Sequence, residues 1–197
     1  MTQNSFAEIK KHVVKMLERG LSEKLSYHNV AHTLYVLEQV DIISLHEKIA
    51  ESDLKLLKIA ALYHDSGFMN KYENHEAESC RIAKDQLPEF GFGPKQIEII
   101  CGMIMATKIP QNPHNQLEQV IADADLEYLG THNYEAIAAS LFKEMKHRNP
   151  ALTEKEWIDI QIRFLEYHSY FTEYCKKNRE AHKQQNLKEL KVLNYNK

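Results

Sequence analysis

The stretch LKLLKIAALYHD, Leu54 to Asp65, limits the possible folds more than any other part of the chain. Its apolar residues cover most of the circumference of a helix, so the segment needs protein on nearly every side and belongs at the centre of a helical bundle. Ser52 or Asp53 opens it, and it stops just before Gly67. It also ends on an imidazole and a carboxylate, His64 and Asp65, which are costly to bury in such surroundings unless something compensates them.

The remaining sequence agrees with a bundle. Among 197 residues there are 6 Gly and 5 Pro, and between them apolar residues recur at spacings of three and four. Alternating apolar and polar runs are nearly absent, so the expectation is an all-α chain. Helices are expected from Ser5 to Arg19 with Gly20 as the stop, from near His28, and from Glu73 to Gln86. Others run from Pro94 to Ala106 and through LEQVIADADLEYLG to Gly130. The segments NYEAIAASLFKEMKHR and TEKEWIDIQIRFLEYH form two more, and a charged helix follows from Thr172. The length suits one domain over residues 1–197, long enough to close a core without disulfides.

Lys and Arg number 25 against 28 Asp and Glu, for a formal net charge of -3, so no overall positive field gathers nucleic-acid polymers. The N-terminal segment lacks the pattern of a secretory signal, and no run reaches membrane-spanning length. Three cysteines, Cys80, Cys101 and Cys175, have no framework spacing and suit a reducing compartment. The expected location is the cytoplasm, with no membrane partner.

Three short motifs carry chemistry. In SYHNVAHTLYVL, a spacing of four puts His28 and His32 one turn apart on a helix face, where both imidazoles can address one small volume or simply share a surface. In ALYHDSGF, neighbouring helical residues point about 100° apart. His64 and Asp65 therefore reach one ion only where the helix ends; otherwise they cap a terminus. In IADADLEYLG, Asp123 and Asp125 sit in an apolar frame that calls for a cation or hydrogen-bond donors. A helix N-terminus is the alternative setting.

Taken in order, His32, then His64 and Asp65, then Asp125 resemble the HD-domain metal-dependent phosphohydrolase superfamily, over roughly His28 to Gly130. The resemblance implies a helical bundle of the HD type with its motif core at residues 26–130 and C-terminal helices, 132–190, packed on it. It implies one divalent ion, Mn, Fe, Co, Ni, Zn or Mg, held by His32, His64, Asp65 and Asp125, with Asp123 as the fallback for Asp125. The YHN opening is similar to that of cyclic-nucleotide phosphodiesterases, which makes His28 the candidate general acid. Asp65 has a possible second duty toward the attacking water.

The same likeness places NHEAES near the pocket. His75 and Glu76 then line it, position water or contact phosphate, with helix capping as the other reading of His75. Asp123 would fix a ligand imidazole or a bound water. Two-metal members carry extra histidines where MIMATKIPQNP offers Thr107 and Lys108, so one metal is expected, and Lys108 meets a phosphate or stays solvated. His168, Lys176, Lys177, Arg179 and Lys183 form either a basic pocket wall or a solvated face. Trp157 and its apolar neighbours read as helix packing. The expected substrate is a small phosphorylated molecule, with a nucleotide or cyclic nucleotide first; specificity falls to Tyr63, Phe68, Tyr72, the Lys108 to Gln116 loop and the tail. A homodimer is left open. The alternatives are a di-iron HD-fold oxygenase, drawing on His75 and His114, and a metal- and nucleotide-binding sensor without turnover.

Overall fold

The computed structural model describes residues 5–195; residues 1–4 and 196–197, which the single-domain expectation also covers, lie outside the described residues. The chain is all-α, with ten α-helices and three single-turn 3-10 segments among the described residues. Helix α1 spans Phe6–Gly20 and starts from a capping box in which Ser5 and Glu8 satisfy each other's backbone amides. Helix α2 spans Val30–His46, and the Asn29 side chain accepts from the amides of Ala31 and His32. His28 therefore lies before the cap, and the expectation that it shares a helix with His32 is corrected.

Helix α3, Glu51–Tyr63, begins slightly earlier than expected, from Ala50. A 3-10 turn at Ser66–Met69 leads to α4, His75–Gln86. Helix α5, Pro94–Ala106, has proline in its first turn, where no amide is needed. Helix α6, Gln116–Leu126, is capped by Asn115 and runs into a 3-10 turn at Glu127–Gly130. Then come α7, Tyr134–Arg148, and α8, Glu154–Tyr167, the latter opened by a Thr153–Glu156 capping box. The single helix expected in the tail is two, α9 at Glu173–Asn178 and α10 at Glu180–Tyr195, because the backbone breaks at Arg179.

Helix α3 is the centre of the bundle and packs against α1, α2, α4, α5 and α6. Leu57, Ile59, Ala60, Ala61, Leu62 and Tyr63 are all fully buried, as its continuous apolar surface requires. A second apolar cluster joins Leu126, Leu129 and Tyr134 to Trp157, Ile158, Leu165, Leu187 and Leu190, so α7, α8 and α10 form a layer of their own. Arg179 clamps this layer to the first through buried Glu127, which also accepts from Tyr35 on α2. Among the described residues, no helix is long and apolar enough to cross a membrane.

Candidate active site

Adjacent residues share one site here because α3 ends between them. His64 keeps helical angles, φ -52° and ψ -40°, whereas Asp65 turns to φ -104° and ψ 5°. That change brings Asp65 Oδ2 to 3.1 Å from His64 Nε2. Gly67 makes the turn tight enough: a Cβ there would lie 2.0 Å from the His75 carbonyl oxygen, so only glycine lets the start of α4 press against the His-Asp turn.

His64 Nδ1 lies 2.8 Å from the Ala61 carbonyl oxygen. A carbonyl only accepts, so Nδ1 carries the proton and Nε2 presents its lone pair to the interior. His32 Nε2, from the first turn of α2, stands 3.3 Å from His64 Nε2 and 3.3 Å from Asp65 Oδ2. From α6, Asp125 Oδ1 lies 3.1 Å from His32 Nε2 and 3.6 Å from His64 Nε2.

These separations fit a cation. Ligand atoms about 2.0–2.2 Å from one ion stand roughly 3 Å apart when they are cis to each other. Asp65 Oδ2 is buried in the middle of the group and receives no hydrogen bond from the described residues. Burial opposes charge on all four side chains. Even so, the carboxylates hold both imidazoles above the ordinary histidine range, and the imidazoles hold Asp65 well below the usual carboxylate range and Asp125 at about 2. The cluster is thus arranged around positive charge, and mixed nitrogen and oxygen donors suit first-row divalent ions.

His28 faces the same volume from the loop before α2, its ring 6.0 Å from that of His32. Glu144, on α7, fixes it: the amides of Tyr27 and His28 donate to Oε2 at 2.8 and 3.0 Å, and His28 Nδ1 lies 2.5 Å from Oε1. Nδ1 therefore carries the proton that faces the carboxylate, leaving Nε2 for the cavity. Burial works against the Glu144 charge, but the bonds from His28 and the two amides keep its carboxyl below the usual range. Nothing in the sequence marked Glu144, which reads as one more polar residue of an amphipathic helix.

Phe68 stacks against the His28 ring at 4.2 Å and against the His75 ring at 3.8 Å. His75 Nε2 lies 3.5 Å from Asp65 Oδ1 and 3.6 Å from Glu76 Oε1, so His75 and Glu76 both stand beside the cluster. His28, Asp65, Phe68, His75, Glu76 and Asp125 line a cavity of about 430 Å³, with Lys108 at its rim donating to Asn74 Oδ1 at 3.0 Å, while His32, His64 and Glu144 stand behind its wall.

Several expectations are corrected. Asp123 points away from the cluster; it is fully buried and accepts from the amides of Phe171 and Thr172 and from the Thr172 hydroxyl at 2.6 Å. It therefore anchors the segment that enters α9, and its hydrogen bonds go to Phe171 and Thr172 rather than to a candidate ligand imidazole. Tyr63 is fully buried with its hydroxyl on Gln86 and is not part of the cavity wall. Among the described residues the lining includes neither His114 nor any of the five basic tail residues. Lys183 is buried, donating to the His168 carbonyl, because a lysine stem packs well against Tyr170 once its charge is paired with Glu180. Trp157 does pack between helices, but one side of it also forms cavity wall.

The family model of the HD domain matches residues 29–128, which carry His32, His64, Asp65 and Asp125. The chain belongs to the HD-domain family, and HD domains bind divalent metals. Its fold is similar to that of a protein described as a predicted HD superfamily hydrolase from an uncultured Thermotogales bacterium. The two are 19% identical with a TM-score of 0.63, over 96% of this chain and 97% of the other. No curated protein matches the chain.

Proposed function

We propose that this chain is a metal-dependent phosphohydrolase that cleaves a small phosphoester. The observation that supports this reading best is the convergence of donor atoms from His32, His64 and Asp125, with Asp65 Oδ2 3.1–3.3 Å from both imidazoles, beside a cavity that also holds a glutamate-anchored histidine. The fold similarity to a protein described as a hydrolase points the same way.

His32, His64, Asp65 and Asp125 would hold the cation. When bound, it supplies Lewis acidity toward a phosphoryl oxygen and makes water more acidic. Asp65 Oδ1, beside His75, orients the attacking water and accepts its proton. The water oxygen bonds to phosphorus as the bond to the leaving oxygen breaks, and His28, acting as the imidazolium with Nδ1–H on the Glu144 carboxylate, gives its Nε2 proton to that oxygen. Glu144 keeps the His28 ring aimed throughout. His75, Glu76 and Lys108 are placed to orient the phosphoryl group or its water.

The test is metal content of protein purified without chelator, followed by phosphate release with Mn, Fe, Co, Ni, Zn and Mg added separately. Nucleotides and cyclic nucleotides lead the panel because of the resemblance of the YHN opening. About one metal per chain, with turnover lost in Asp65→Ala, is the expected result. Full metal occupancy without turnover of any phosphoester sinks the reading in favour of a sensor.

A further inference from the structure

The cavity has two unlike ends. One carries Asp65, Asp125, His28, His75 and Lys108; the other is a chamber walled by Leu129, Tyr134, Leu141, Trp157, Ile160 and Phe164. We infer that this chamber binds a flat, weakly polar aromatic group, carried on the leaving oxygen of the phosphoester, which for the reacting end rests on the phosphohydrolase reading.

The chamber offers few polar partners to a hydroxylated ligand. The Tyr134 hydroxyl is already engaged, donating to Gln161 Oε1 at 2.9 Å, which leaves chiefly the Gln161 amide hydrogens. A sugar or polyol seated there would give up water and meet few new partners, at a cost of a kilocalorie or more per unpaired group. An aromatic ring loses nothing comparable and gains apolar burial. The walls are already set for one: Phe142 backs Trp157 in a stack at 5.6 Å and 14°, and Tyr128 lies parallel to Tyr134 at 6.4 Å and 12°.

The position of the chamber also links it to the chemistry. Ala138, Leu141 and Met145 line it from one face of α7, and Glu144 on the same helix holds His28. A leaving oxygen near His28 thus has its substituent directed along α7. Protein interiors are normally filled to crystal-like density, so apolar side chains arranged around an open space are a binding wall rather than an ordinary core. Tyr134, Leu141, Trp157, Ile160 and Phe164 all lie beyond residue 128, so the family-matched segment does not supply this selectivity.

Trp157 is the one tryptophan in the chain, so its emission reports on the chamber without any need for turnover. The experiment titrates the intact protein, with and without added Mn, with benzylphosphonate, methylphosphonate and ribose 5-phosphate. The expected result is a saturable change with benzylphosphonate at a concentration at least about tenfold lower than with the other two. Leu141→Gln and Ile160→Gln, both half-buried positions, should each remove most of that difference. Equal response to all three, or tighter binding of ribose 5-phosphate, overturns the assignment. Turnover of benzyl phosphate and glycerol phosphate, whose leaving alcohols are similarly basic, separates the two readings. Hydrolysis without preference for benzyl phosphate refutes the chamber and spares the phosphohydrolase. Titration of Trp157 with no hydrolysis of any phosphoester does the reverse.

Discussion

His28 and Glu144 are 116 residues apart, yet the carboxylate holds both the backbone amide and the ring Nδ1 of the histidine. In the mechanism proposed above, this arrangement separates proton delivery from metal binding. His28→Ala should retain metal and lose turnover by about 10²- to 10⁴-fold, the range for a positioned general acid. Glu144→Gln, which keeps an acceptor but not the charge, should lose less. Metal content and kcat measured together check both, and loss of metal in His28→Ala would contradict the roles proposed.

Removal of His32 or Asp125 has a different expected signature. Because each offers an atom that converges with His64 Nε2, His32→Ala and Asp125→Ala should lose bound metal and activity together. A chelator should also lower the Tm of the wild-type protein, since a ligand bound only to the native state stabilises it by mass action. A wild-type Tm insensitive to chelator and added metal would count against the cluster as a metal centre.

Asp123 supports structure rather than chemistry. Asn at this position retains one acceptor oxygen where the carboxylate serves the amides of Phe171 and Thr172 and the Thr172 hydroxyl. Asp123→Asn should cost about 2 kcal/mol of stability in urea unfolding, with metal affinity and kcat near wild type in the folded protein. Weakened metal binding at undiminished stability would return Asp123 to the site.

His168 sets a pH dependence of stability. Burial, and then the neighbouring Lys183 charge, lower its pKa from 6.5 to about 4, while Glu180 opposes them. The unfolded chain therefore binds a proton on this residue below about pH 6.5, whereas the folded chain does so only near 4. Between these values the unfolded state holds more protons, so stability falls as pH falls. The full contribution is on the order of 2–3 kcal/mol. Urea unfolding from pH 7.5 down to 4.5 should show a shallower decline for His168→Phe than for wild type. Parallel curves would mean that His168 titrates normally.

The helices are readable in the sequence because they depend on local pattern, whereas the candidate ligand set follows from the order of three motifs and the family they resemble. The continuous apolar surface of Leu54 to Tyr63 determined the central helix, and the His-Asp doublet stood out by being polar at its end. His28 falls outside the helix expected from it because Asn29, a favoured N-cap residue, sets the later start. The roles of Glu144 and Asp123 and the cavity-facing side of Trp157 are unreadable for another reason. Their partners are fixed by how distant helices meet, and neither periodicity nor spacing records that.

The same long-range bonds impose an order on assembly. Closing Tyr27 onto Glu144 spans 117 residues and closing Asp123 onto Thr172 spans 49, while the His32 and Asp125 donors are 93 apart. Long-separated contacts slow folding because loop closure must precede their reward. Synthesis proceeds from the N-terminus, so all four candidate ligands are made before the helix that aims His28 and walls the chamber. A nascent chain thus holds the residues proposed to bind an ion before it holds those that would put that ion to use.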